Sequence, residues 1–260
     1  PMSGDVLLAR DGAIATVTLS APERRNALNV FMWQKLGEVL FELESDGSVR
    51  CVVLRGDGDE AFAAGADISE FETERSSAEQ ARAYAAKTHG TLRALQGLRH
   101  PVIAMISGVC VGGGLELAAC CDIRISGESG RFGIPVKRLG LVVAIDEMQP
   151  LIEIVGKAAA LEILLEGRVF GADEALEKRL INRVVPDFDL EPATYASARR
   201  IAEGAPLTAR WHKKFVNRLM DPAPLSEDER DESYDCFATE DFQIGFKAFL
   251  AKKNPEFEGR

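Results

Sequence analysis

Apolar and polar positions alternate over residues 14–20, after a shorter apolar run at 6–8. This predicts two strands joined at Asp11-Gly12, a dipeptide suited to a tight hairpin turn. The period then changes. Phe31, Leu36, Val39, Leu40 and Leu43 recur at helical spacing, predicting a helix over 30–44 with Asn29 as its N-cap. Residues 49–55 form a β-branched run that ends in Gly56-Asp-Gly-Asp59, the pattern of a buried strand running into a turn. A polar helical stretch over 76–98, a strand at 102–106, a short helix near 113–120 and a strand at 123–126 follow. Strand and helix therefore alternate, which predicts an α/β fold with crossover connections.

Beyond residue 144 helical periodicity dominates. Helices are expected at 158–165, 172–179, 192–203, 207–219, 226–239 and 241–252, with the prolines of Asp221-Pro-Ala-Pro224 separating two of them. The shift in composition near 182–189 divides the chain into a strand-rich core domain, residues 1–190, and a helical C-terminal region, residues 191–260.

With 260 residues, 46% of them hydrophobic and 28% charged, the chain has the composition of a soluble protein with a sizeable core. A net charge of −10 argues against nucleic acid as the main partner. No apolar run approaches the roughly 18–20 residues of a membrane span. The N-terminus lacks the sections of a signal peptide, so the cytoplasm is the expected compartment. Cys51, Cys110, Cys120, Cys121 and Cys236 show no paired spacing and read as reduced thiols. His89, His100 and His212 lack the spacing of a metal site, and no metal is expected.

Two small-residue stretches carry the candidate chemistry: Ala61-Phe-Ala-Ala-Gly-Ala-Asp-Ile68, and Ser107 to Asp122 with its Gly112-Gly113-Gly114 core. Each leads into helix, where backbone N–H groups are free to meet a ligand, and two such sites can converge on an oxygen that becomes negative. Glu116 follows the glycines between Leu115 and Leu117. Desolvation there raises a carboxyl pKa and suits a general acid or base, although a helix-capping glutamate fits the same place. Asp67 reads as an N-cap and Asp122 as a structural residue.

On Pro22-Glu-Arg-Arg-Asn-Ala-Leu-Asn29, Phe62-Ala-Ala-Gly-Ala-Asp67, Gly112-Gly-Gly-Leu-Glu116, Cys121-Asp122 and Phe132-Gly-Ile-Pro135, the chain resembles the crotonase (enoyl-CoA hydratase/isomerase) superfamily over nearly its whole length. The resemblance implies a spiral of ββα units with a helical C-terminal trimerisation lobe, assembled as a homotrimer or homohexamer. It implies an acyl-CoA substrate, with coenzyme A as part of the thioester and no permanently bound cofactor. Ala66 and Gly113 would form an oxyanion hole. Ala27, Leu28, Ala64, Asp67 and Ile68 would line the coenzyme A groove, and Phe249 and Lys252 would hold the nucleotide end from a neighbouring subunit. Arg24 and Arg25 either meet the phosphates or stay solvated.

The hydratases of this family use two glutamates. Glu116 matches the first, but the second position is Val136, and the position at which other relatives carry an acid is Ala144. Asp146, Glu147 or His89 remains as a substitute partner, against the plainer readings of a surface helix start and a packed or solvent-facing histidine. The expected activity is therefore enoyl-CoA hydratase-like. The alternatives are enoyl-CoA isomerisation or other CoA-enolate chemistry, or acyl-CoA binding with weak catalysis.

Overall fold

The computed structural model describes residues 4–260. Strands β1 (Asp5–Asp11) and β2 (Ile14–Ser20) form the expected antiparallel hairpin, turning at Gly12 with φ +56°. Helix α1 (Val30–Ser45) starts where the Asn29 side chain accepts the Met32 N–H at 2.8 Å. It is followed by β3 (Cys51–Gly56), β4 (Ala61–Ala63), the short α2 (Phe71–Glu74) and α3 (Ala78–Gly97), capped by Ser77. Next come β5 (Val102–Ile106), β6 (Val109–Val111), α4 (Gly113–Ala119), β7 (Ile123–Gly127) and β8 (Arg131–Gly133). The chain continues through α5 (Ile145–Glu166), β9 (Phe170–Gly171), α6 (Ala172–Glu177), β10 (Arg183–Val185) and α7 (Leu190–Ala202). It finishes with α8 (Pro206–Met220), α9 (Glu227–Asp231) and α10 (Glu240–Leu250).

The strands build two sheets. The larger has the order β1-β2-β3-β5-β7-β10, parallel from β2 onward; the smaller has the order β4-β6-β8-β9. Each of β3-β4, β5-β6 and β7-β8 gives one strand to each sheet before a helix returns the chain. This repetition is the ββα spiral. The main core runs between the sheets and α1, α3 and α5. The opposite face of the large sheet, with Cys51, Val53, Ile103 and Ile125, is covered by Leu190 and Ala198 of α7.

Several elements differ from expectation. Strands β4, β6, β8, β9 and β10 were not expected, because two or three residues are too few for a period-2 pattern to register. The helix expected at 158–165 instead begins at Ile145, and a non-helical Gly156 (φ +75°) interrupts it. The helix expected over 226–239 is α9 followed by a 3-10 segment, Glu232–Ala238.

Close backbone approach explains two glycines. A Cβ on Gly108 would lie 1.9 Å from the Glu60 carbonyl oxygen, and one on Gly114 would lie 2.2 Å from that of Ala63. No larger residue fits either position without moving a strand. Cys51, Cys110, Cys120 and Cys121 are buried and unpaired. Burial pushes the thiols of Cys51 and Cys121 up to about 12, so they are inert at neutral pH.

Candidate active site

Two loops meet beside α1 and α4. Beyond β4, the chain over 64–67 is pinned to the segment at 25–28. Ala64 N–H donates to the Arg25 carbonyl, Leu28 N–H to Gly65 and Asp67 N–H to Leu28, at 2.9, 2.8 and 2.9 Å. This parallel pairing turns the Ala66 N–H away from Leu28. The second loop reaches α4 through Gly112 (φ +51°), whose N–H donates to the Gly133 carbonyl. Gly113 is the first residue of α4, where an amide has no intrahelical acceptor.

A Cβ placed on Gly113 would lie 3.6 Å from the Ala66 nitrogen, and one placed on Gly65 would lie 3.4 Å from the Gly113 nitrogen. The two amides are therefore neighbours. Neither donates to a backbone acceptor in the loops and caps among the described residues. Both line a cleft of about 130 Å³ that also takes in Trp33, Tyr84, Glu116 and Glu147.

Glu116 enters this cleft from the first turn of α4, while its neighbours Leu115 and Leu117 point into the core. Burial is the main cause that pushes its carboxyl up to about 8. The nearby charge of Glu147 adds to the rise, and Arg75 opposes it. Glu147 comes from the first turn of α5. Its Oε2 accepts the Ala144 N–H at 3.1 Å, and its Oε1 lies 3.1 Å from His89 Nε2. The other ring nitrogen of His89 lies 3.2 Å from Asp146 Oδ2, and Arg93 approaches the same oxygen at 3.3 Å.

The structure thus sorts the three substitute partners. Glu147 lines the cleft, His89 stands behind it in α3, and Asp146 lies outside, half exposed. Residues 144 and 147 share a helix face at i, i+3, so Glu147 places a carboxylate one turn beyond the apolar Ala144. Val136, on a 3-10 turn at Pro135–Leu139, is also part of the wall.

Ala64, Ala66, Ile68, Gly113 and Glu116 all line this one cleft. Ala27 and Leu28 are buried behind the 64–67 loop. Asp67 accepts the Ser69 N–H at 3.0 Å and the Ser69 hydroxyl at 2.7 Å, and it pairs with Arg24. Burial works against its ionisation, but the Ser69 hydrogen bonds and Arg24 prevail and hold its carboxyl below the usual range. It therefore acts as an N-cap, and Arg24 is tied to it. Phe249, on α10 and 82% exposed, and Lys252, just past that helix, are not among the cleft-lining residues.

Sequence reasoning did not find Trp33, Phe71, Arg75 and Tyr84. For Phe71, Arg75 and Tyr84 the only signal was aromatic residues near an arginine in a polar stretch, which is common on helix surfaces; Trp33 reads as one more apolar residue of α1.

The family described as enoyl-CoA hydratase/isomerase matches residues 9–260, and the chain belongs to it. It is 36% identical over 258 residues to a probable enoyl-CoA hydratase from Mycobacterium bovis, covering 98% of each chain. It is 35% identical to a short-chain-enoyl-CoA hydratase from Clostridium acetobutylicum, covering 97% of each. Among solved structures, an enoyl-CoA hydratase/carnithine racemase from Magnetospirillum magneticum superposes with a TM-score of 0.97 at 52% identity, over 98% of this chain and 96% of that one. This agrees with the crotonase resemblance.

Proposed function

We propose that the chain hydrates the 2,3 double bond of a short enoyl-CoA thioester, with Glu116 and Glu147 as the acid–base pair. The observation that carries this reading is that both carboxyl groups line the cleft where the Ala66 and Gly113 amides meet.

The thioester oxygen accepts the N–H groups of Ala66 and Gly113, which draws electron density from C3 and stabilises the enolate that follows. Glu147 takes a proton from water as the water oxygen bonds to C3. Glu116, held protonated by its surroundings near neutral pH, gives its proton to C2. The pair ends with its proton on the other carboxylate, and exchange with solvent restores it. In this scheme Val136 is an apolar wall, and Glu147 fills the role of the missing glutamate.

Coenzyme A enters as part of the substrate, along the groove at Ala64 and Ile68, with Ala27, Leu28 and Asp67 shaping that groove from behind. Phe249 and Lys252 hold its nucleotide end in a neighbouring subunit of a homotrimer or homohexamer. The exposed Val216, Leu219 and Met220 of α8 and Phe246 and Leu250 of α10 support such an assembly. The unpaired buried thiols suit the reducing cytoplasm.

The test is incubation with crotonyl-CoA followed by mass spectrometry. Gain of one water supports hydration, a shifted double bond without mass change indicates isomerisation, and unchanged thioester that still binds indicates an acyl-CoA-binding protein.

A further inference from the structure

Arg75 follows α2 and lines the cleft. Its guanidinium carbon lies 4.8 Å from the centre of the Phe71 ring and 4.7 Å from that of Tyr84. Two aromatic rings therefore hold the planar cation in place. Its Nε is buried with no hydrogen-bond partner, and no carboxylate pairs with its guanidinium among the described residues. Other arginines near the site are engaged: Arg24 with Asp67, and Arg93 with Asp146. Arg75 is also the single Lys or Arg among the residues lining this cleft.

Arg75 is only partly buried, but its Nε is a buried donor, and a buried donor left without an acceptor is costly unless a ligand supplies one. Glu116 feels the charge of Arg75, but no ion pair forms between them. Glu147 is already engaged by the Ala144 N–H and His89. Arg75 thus shares the cleft with Glu116 and lies within its electrostatic reach, and because the proposed reaction puts C2 of the thioester at Glu116, the acyl portion is what meets Arg75. The planar fork of a guanidinium matches a carboxylate with two parallel hydrogen bonds.

We propose that Arg75 selects an acyl chain ending in a carboxylate, so that the substrate is the CoA monothioester of a short unsaturated dicarboxylic acid. This rests on the reading of the cleft as an enoyl-CoA site. Phe71 and Tyr84 fix the guanidinium plane, so little ordering accompanies binding.

The test separates specificity from turnover. Dissociation constants of glutaryl-CoA and butyryl-CoA, saturated thioesters that cannot be hydrated, are measured by calorimetry on the intact protein and on Arg75→Met and Arg75→Lys. The parent should bind glutaryl-CoA about 10- to 100-fold more tightly, the range of charge-assisted hydrogen bonds. Arg75→Met should bring the ratio near one, and Arg75→Lys should fall between, since lysine keeps the charge but not the fork.

Equal affinities in the parent overturn the proposal. So does an equal loss for both thioesters in Arg75→Met, which would assign Arg75 to the coenzyme A phosphates they share. Because binding is read directly, a glutaryl preference without hydration of glutaconyl-CoA would sink the hydratase reading and leave Arg75 as an anion-selecting residue. Should Arg75→Met unfold, the Arg75→Lys ratio decides: an unchanged ratio also overturns the proposal.

Discussion

His89 Nε2 lies 3.1 Å from Glu147 Oε1, so a partly buried histidine behind the cleft wall holds a carboxylate that shares the cleft with Glu116. The Ala144 N–H holds the other oxygen of Glu147. A side chain fixed at both oxygens loses little freedom when substrate arrives.

Glu147→Gln should lower kcat by roughly 10²–10⁴, the effect of losing a positioned acid–base group. His89→Asn should cost less, about 10- to 100-fold, since it removes one hydrogen bond to a charged group. Stopped-flow hydration of an enoyl-CoA checks both. A Glu147→Gln enzyme as fast as the parent would remove Glu147 from the chemistry.

Glu116→Gln should lose turnover on a similar scale and change the pH dependence of stability. In the folded protein the Glu116 carboxyl sits at about 8, above its ordinary value of 4.5. Between these values the folded state holds a proton that the unfolded state has released, so the parent loses stability as pH rises through that window. The variant lacks this term. Its advantage should grow from pH 4.5 to about 8, reach a few kcal/mol and then level off. Urea melts at several pH values measure it; parallel curves would mean that Glu116 ionises as freely folded as unfolded.

Adjacent glycines should separate folding from catalysis. Alanine at Gly114 would bring Cβ to 2.2 Å from the Ala63 carbonyl oxygen. The gain in helix propensity is about 1 kcal/mol, and the collision outweighs it, for a net loss of roughly 3 kcal/mol or more. At Gly113 the nearest atom to such a Cβ is 3.5 Å away, an ordinary contact. Gly113→Ala should therefore melt like the parent, yet lose roughly 10²–10³ in kcat because the methyl crowds the Ala66 amide. Thermal melts alongside hydration rates distinguish the two.

Asp122 is expected to matter for stability. Its Oδ2 accepts the Val102 N–H at 2.7 Å and pairs with the partly buried Lys213 of α8 at 2.8 Å. Asp122→Ala leaves that ammonium with the His100 carbonyl, 3.0 Å away, but without its counter-charge, and should cost about 2–3 kcal/mol in denaturant melts. Asp122→Asn, which keeps an oxygen for Val102, should recover part of the loss.

The alternating pattern of the first hairpin, the β-branched run of β3 and the Asn29 cap were legible because local periodicity and hydrogen-bonding chemistry decide them. Small-residue stretches running into helix, one of them with three consecutive glycines, pointed to the Ala66 and Gly113 loops, and apolar neighbours marked Glu116 as desolvated. The short strands of the second sheet were not legible: pairing with partners far along the chain, not their own composition, makes them strands.

The same holds for the second half of the site. Asp146 and Glu147 are adjacent and alike in sequence, and only the entry angle of α5 sends one into the cleft and the other towards solvent. Arg75 reads as one more surface charge until Phe71 and Tyr84 close around it. The sequence by itself determined the repeating α/β units and the amide-lined loops, because those depend on neighbours a few residues away. Only the tertiary structure decided which carboxylate joins Glu116 and which cation joins the cleft, because a side chain's direction depends on how whole helices pack.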